Sequence, residues 1–137
     1  MQKLFTLVIL TLICSTYGKA QKTVYDHNNV MTAIYNIGVG EDLDTESCSV
    51  EKIVGKVFSV SEDYPEVLAV ILTSQGKQFI YVNTQSMSMA DRSNFFYSLL
   101  KKGKRVQIGT YMCGSGGFMY ATSVNSLGAS TTKRKKK

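Results

Sequence analysis

The sequence predicts a mostly β domain: five strands closing into a small Greek-key barrel, one α-helix between the third and fourth strands, and an extra strand ahead of the barrel. Three observations carry this expectation. From Val50 onward the apolar residues recur mostly at every second position, the period of a strand with one buried face. The period changes once, between Met87 and Lys102, to a helical one. Two cysteines, Cys48 and Cys113, stand at the start of the first of these strands and at the end of the fourth. A barrel whose first strand closes antiparallel against its fourth would put those two positions side by side. With 137 residues the chain is long enough for one packed core and short for two.

Taken in order, residues 1 to 20 (MQKLFTLVILTLICSTYGKA) open with Lys3, continue through the apolar run Leu4 to Ile13 and end in Gly18-Lys19-Ala20. That is a signal-peptide pattern with a cut expected after Ala20, so the mature protein is expected to be secreted or periplasmic. The run is too short for a membrane-spanning helix, which needs roughly 20 apolar residues. Cys14 follows Ile13 where a lipid-attachment signal wants a small residue, which argues against lipidation. Segment 21–47 holds an N-terminal strand, Asn29 to Gly38, expected to pair at a barrel edge or with another subunit. It ends in an acidic loop, Glu41 to Glu46, that lacks the spaced ligands of a calcium site.

The barrel is expected over 48–127. Ser49 to Val60 sets Val50, Lys52, Val54, Lys56 and Phe58 on one face and Ile53, Gly55 and Val57 on the other, with Gly55 marking a bend or bulge. SEDYPE, Ser61 to Glu66, is a turn holding the only proline. Val67 to Thr73 is an apolar run expected to be buried on both sides or nearly so. Ser74-Gln75-Gly76 turns it, and Lys77 to Val82 returns as its hairpin partner. The helix, Met87 to Lys102, has Ser88 as N-cap, Asp91 in its first turn, Phe96, Leu99 and Leu100 on one face, and Gly103 as its stop. Arg105 to Met112 and Phe118 to Val124 are the last two strands, joined by the glycine-rich CGSGG, Cys113 to Gly117. Residues 128–137 are expected to be a disordered basic tail.

Strand, strand, strand, helix, strand, strand is the order of the OB-fold. An open five-stranded sheet with the helix on one face is the rival, and the cysteine positions favour the barrel. In an oxidising compartment two thiols of a small exported domain most simply pair. Closing a loop of that length stabilises a fold by roughly 4 kcal/mol in the chain-entropy model. The alternative is a free reactive thiol. One histidine, His27, and two cysteines so far apart make no metal-ligand spacing, so neither a metal nor a cofactor is expected.

The formal net charge of +6 belongs to the end of the chain. Lys133, Arg134, Lys135, Lys136 and Lys137 are all basic, and without them and the signal lysines the body is close to neutral. A basic domain built for nucleic acid is therefore not implied, although the tail can touch an anionic surface or simply stay in water. CGSGG resembles the GDSGG of chymotrypsin-like proteases, but Gly114 replaces the aspartate and the lone histidine lies ahead of the barrel, so Ser115 has no base to activate it. The esterase elbow fails at Cys113 and a phosphate loop fails at Ser115, where lysine is required. A nuclease on this fold would need acids around its arginines, and the body offers only Arg92 and Arg105 without them. The expectation is a binding protein and not an enzyme.

OB barrels bind oligonucleotides and oligosaccharides on the face of strands two and three and the loops beside it. Here that selects Tyr64, Gln78, Tyr81, Tyr111, Ser115 and Tyr120, with Phe118 alongside. Tyrosines and small polar groups without interleaved basic residues suit a neutral or sialylated sugar better than a nucleic acid. The alternative for these tyrosines is barrel packing.

The stretch Ser93 to Leu127 (SNFFYSLLKKGKRVQIGTYMCGSGGFMYATSVNSL) has an aromatic-rich helix ending in glycine, a K-x-V-x-I strand at Lys104, Val106 and Ile108, a loop, and a last strand running to Asn125 and Leu127. In this layout it resembles the B subunits of subtilase cytotoxin and the pertussis-like toxins, and small exported bacterial OB-fold proteins with the same helix and late cysteine. The resemblance implies a secreted subunit that binds a glycan or cell-surface glycoconjugate and assembles as a ring of five; no functional residue carries over. Two further functions remain open: an exported structural or inhibitory protein that binds another protein through its N-terminal strand or tail, and a single-stranded nucleic-acid binder.

Overall fold

The computed structural model describes residues 20–38, 48–63, 66–113 and 118–128. The expected signal segment up to residue 19, the acidic loop, Tyr64, Ser115 and the basic tail lie outside the described residues. Strands β1 (Lys22–Tyr25) and β2 (Met31–Tyr35) precede β3 (Cys48–Asp63), β4 (Glu66–Thr73) and β5 (Gly76–Asn83). A helix follows, α-helical over Met89–Asn94 (α1) and π-helical over Phe95–Leu99, and then β6 (Arg105–Cys113) and β7 (Met119–Ser126). Five strands close a ring in the order β3-β4-β5-β7-β6, with β6 returning to β3. Every ladder of the ring is antiparallel except β5 with β7. This is the expected OB-like order, closed, with Cys48 directly opposite Cys113 in the β3–β6 ladder and joined to it by a disulfide.

β3 is long because it serves two neighbours in turn. From Cys48 to Lys56 it pairs with β6, and from Lys56 to Asp63 it pairs with β4. The handover brings strands into close contact at Gly55, where a Cβ would lie 2.5 Å from the backbone oxygen of Leu72. A bulge at Phe58 follows at once and adds curvature. β7 is bulged at Thr122, whose hydroxyl donates to the Gly109 carbonyl at 3.2 Å and whose carbonyl accepts from the Ile37 N–H at 3.0 Å.

β7 divides its remaining edge between β5, at Met119 and Tyr120, and β2, at Val124 and Asn125. The expected N-terminal strand is thus β2, shorter than Asn29 to Gly38, and it pairs at the barrel edge. Outside it lies β1, a strand that the alternation did not reveal. The turn between them is built by Asp26, whose Oδ1 accepts from the N–H groups of Asn28 and Val30 at 2.8 and 3.0 Å, and by Asn29 at φ 57°. Met31, Ile34 and Ile37 are buried in the same core as the barrel strands, so the N-terminal segment helps to seal the barrel.

The helix starts as expected, with the Asp91 N–H donating to Ser88 Oγ at 3.1 Å. It ends earlier, at Leu99 instead of Lys102, because its last turn widens: the Leu100 N–H reaches the Phe95 carbonyl at 2.9 Å. That register buries Phe95 with Leu99 and Leu100 and leaves Phe96, expected on the buried face, only half-buried. Gly103, at φ 85°, then turns the chain into β6.

Candidate ligand-binding face

Side chains alternate across a strand, so the ring has an inner set and an outer set. On β5 the inner residues Ile80 and Val82 are fully buried, which places Lys77, Phe79 and Tyr81 outside. Opposite them on β4 stand Leu72, Val70 and Leu68. The β4 run is nearly buried on both sides, as expected: inner Val67, Ala69 and Ile71 are fully enclosed, outer Val70 is 8% exposed and Leu68 half-buried, and the exception is Leu72, 45% exposed near the hairpin end.

The outer row continues around the ring. Tyr81 is paired with Tyr120 on β7, and Tyr120 with Tyr111 on β6. Tyr120 and Tyr111 stack with ring centroids 5.6 Å apart and an interplanar angle of 22°. Tyr81 lies 5.7 Å from Tyr120, tilted, and meets Phe118 edge-on at 5.7 Å. These separations suit aromatic pairs. Tyr111, 9% exposed, is the buried end of the row, whereas Phe79 and Phe118, each 57% exposed, present their rings to solvent. Burial and the negative charge of Glu66 push the phenols of Tyr111 and Tyr120 above the ordinary tyrosine value, so both remain protonated hydrogen-bonding groups at neutral pH.

At the far end of this band Phe58 carries Lys77, whose Nζ is 4.0 Å from the ring centroid, and Lys102 at 6.0 Å. Cations therefore collect at one end and Glu66 stands at the other, an arrangement unlike the evenly basic groove that tracks a nucleic-acid backbone.

Of the residues selected from sequence, Tyr81, Tyr111 and Tyr120 come together on this face. Gln78 does not join them. It lies on the opposite pleat from Tyr81 and lines a separate cleft of about 400 Å³ between β3 and the tip of the β4–β5 hairpin. Phe58, Leu72 and Phe79 belong to the face and were not singled out. Their signal was present in Lys77 to Val82, where Phe79 and Tyr81 are apolar in one phase and Ile80 and Val82 in the other. Two apolar phases in a strand of a small barrel leave one of them in water.

Among the described residues no group of His, Cys, Asp or Glu is placed to hold a metal ion, and no helix is long and apolar enough to cross a membrane. No protein-family model matches the chain, and no curated protein matches it.

Proposed function

We propose that this is an exported, non-catalytic binding protein that recognises a glycan on the outer face of β4, β5 and β7. The observation that carries the reading is the continuous aromatic row Tyr81–Tyr120–Tyr111 with the exposed rings of Phe79 and Phe118 beside it. Sugar rings offer apolar C–H faces that stack on such rings and hydroxyls that bond to phenols. The ring contacts of Tyr120 with Tyr81 and Tyr111 already order these side chains against one another, which reduces the ordering cost of binding. The Cys48–Cys113 disulfide fits export, because such bonds persist in oxidising compartments. The basic tail would add affinity for an anionic cell surface.

A glycan array probed with the oxidised protein tests this directly, and failure to retain any sugar at high protein concentration sinks it. With a retained sugar in hand, Phe79→Ala and Phe118→Ala should each weaken binding about tenfold, the loss of one stacking contact, with only a small loss of melting temperature since more than half of each ring is in water.

A further inference from the structure

Among the described residues, half of β3 has no neighbour on one side. Cys48 to Lys56 pairs with β6, but pairing with β4 starts only at Lys56, opposite Leu72, because β4 ends at Thr73 and turns away. Among the described residues no strand pairs with the other edge of β3 between Val50 and Val54. The groups this edge presents follow from backbone alternation. The Val57 N–H donates to the Lys104 carbonyl at 2.9 Å and its carbonyl accepts from the Gly103 N–H at 2.7 Å, so Val57 points toward β6. The Glu51 carbonyl points the same way and accepts from Thr110 Oγ1 at 3.1 Å. Successive residues of a strand direct their N–H and C=O to opposite sides, so Val50, Lys52 and Val54 hold theirs out at the open edge.

The side chains of those same residues stand on the outer face, with Val50 76% exposed and Lys52 and Val54 exposed as well. Across the opening, Ser74, Gln75 and Gln78 form the far wall of the cleft. The overhang is held as a strand at both ends, by the disulfide at Cys48 and by β4 at Lys56. A rigid, unpaired edge is a template for another strand.

We propose that this edge docks an extended peptide of a partner protein, which adds a strand beside β3 with an acidic residue opposite Lys52 and apolar residues opposite Val50 and Val54. Main-chain hydrogen bonds supply affinity in this mode, and the alternate side chains supply specificity. The repeating N–H and C=O groups match a peptide backbone, which a saccharide cannot reproduce. Across the ladder Lys52 pairs with Gly109, so among paired neighbours its charge meets no side chain and is left for an incoming carboxylate. The proposal does not depend on the aromatic face.

The test uses the oxidised full chain and a random linear peptide library. Selected peptides should share the pattern apolar–x–acidic–x–apolar. Lys52→Glu should weaken them at least tenfold, Lys52→Gln less, and Phe79→Ala not at all. By hydrogen exchange the amides of Val50, Lys52 and Val54 should exchange rapidly in the free protein and slow when a selected peptide is added. The proposal fails if no peptide is enriched, if selected peptides bind Lys52→Glu as well as the parent, or if those amides are already protected in the free protein. It also fails if an oligosaccharide, and no peptide, protects them.

Discussion

At the scale of single residues, two glycines and one tyrosine carry separable consequences. Gly55 meets backbone: an added Cβ would sit 2.5 Å from the Leu72 oxygen and 2.7 Å from Ile71 Cγ2. Gly109 meets a side chain, Ser123 Oγ, at the same 2.5 Å, and a serine can rotate away. Gly55→Ala should therefore cost about 2 kcal/mol by denaturant unfolding and Gly109→Ala clearly less; equal costs would contradict the contrast between backbone and side-chain obstruction. Tyr25 ties β1 to the helix by donating its phenol to Asp91 Oδ1. Burial first, then that hydrogen bond and the carboxylate's charge, push its pKa up to about 12. In the unfolded chain a tyrosine ionises near 10, so the folded state holds this proton more tightly. The resulting stability is intact below about pH 10 and is lost as pH rises toward 12. Melting temperature should fall over that range, and Tyr25→Phe should flatten part of the fall. Tyr111 and Tyr120, also raised, act in the same direction.

At the scale of elements, the contrast between β2 and β4 explains what was readable beforehand. Strand positions, the Ser88 cap, the disulfide partners and ring order were legible because each depends on local period or on a pairing constraint. β1 was not, since four residues, KTVY, are too short to show alternation, although Asp26 and Asn29 are ordinary turn residues that marked a hairpin. The widened last turn of the helix was also hidden. Phe95 and Phe96 are chemically alike, and only the fit of Phe95 beneath the barrel decides which is buried. The candidate face was half legible: the tyrosines stood out by type, while Leu72 and Phe79 were hidden because an apolar outer position reads like a core position until its exposure is seen. β2 yields the element's own prediction. Ile34 is fully buried where β2 seals the end of β7, so Ile34→Ala should cost about 3 kcal/mol, as in other barrel-core positions. A cost near zero would mean that the N-terminal hairpin is an appendage and not part of the core.

At the scale of the whole molecule, closure and openness meet at the same place. The ring is closed by β6 against β3, and the disulfide locks the outermost pair of that ladder. Between it and Lys56 the β3–β6 pair stands without β4, so the bond pins the least supported part of the barrel. Two effects should follow when Cys48 and Cys113 are both replaced by serine. Global stability should fall by about 4 kcal/mol, the chain-entropy value for a loop of this length. The loss should also be uneven, because a strand pair lacking one flanking strand opens locally before the barrel does. The amides of Ser49, Glu51 and Ile53, which face β6, should lose protection beyond the global change, while those shared by β4 and β5 follow it. Hydrogen exchange on the double variant resolves the two. A uniform loss across all strands would show that the disulfide acts only through the unfolded chain. A local loss would show that it holds β3 in place beside Tyr111, joining the stability of the barrel to the geometry of the face and of the open edge next to it.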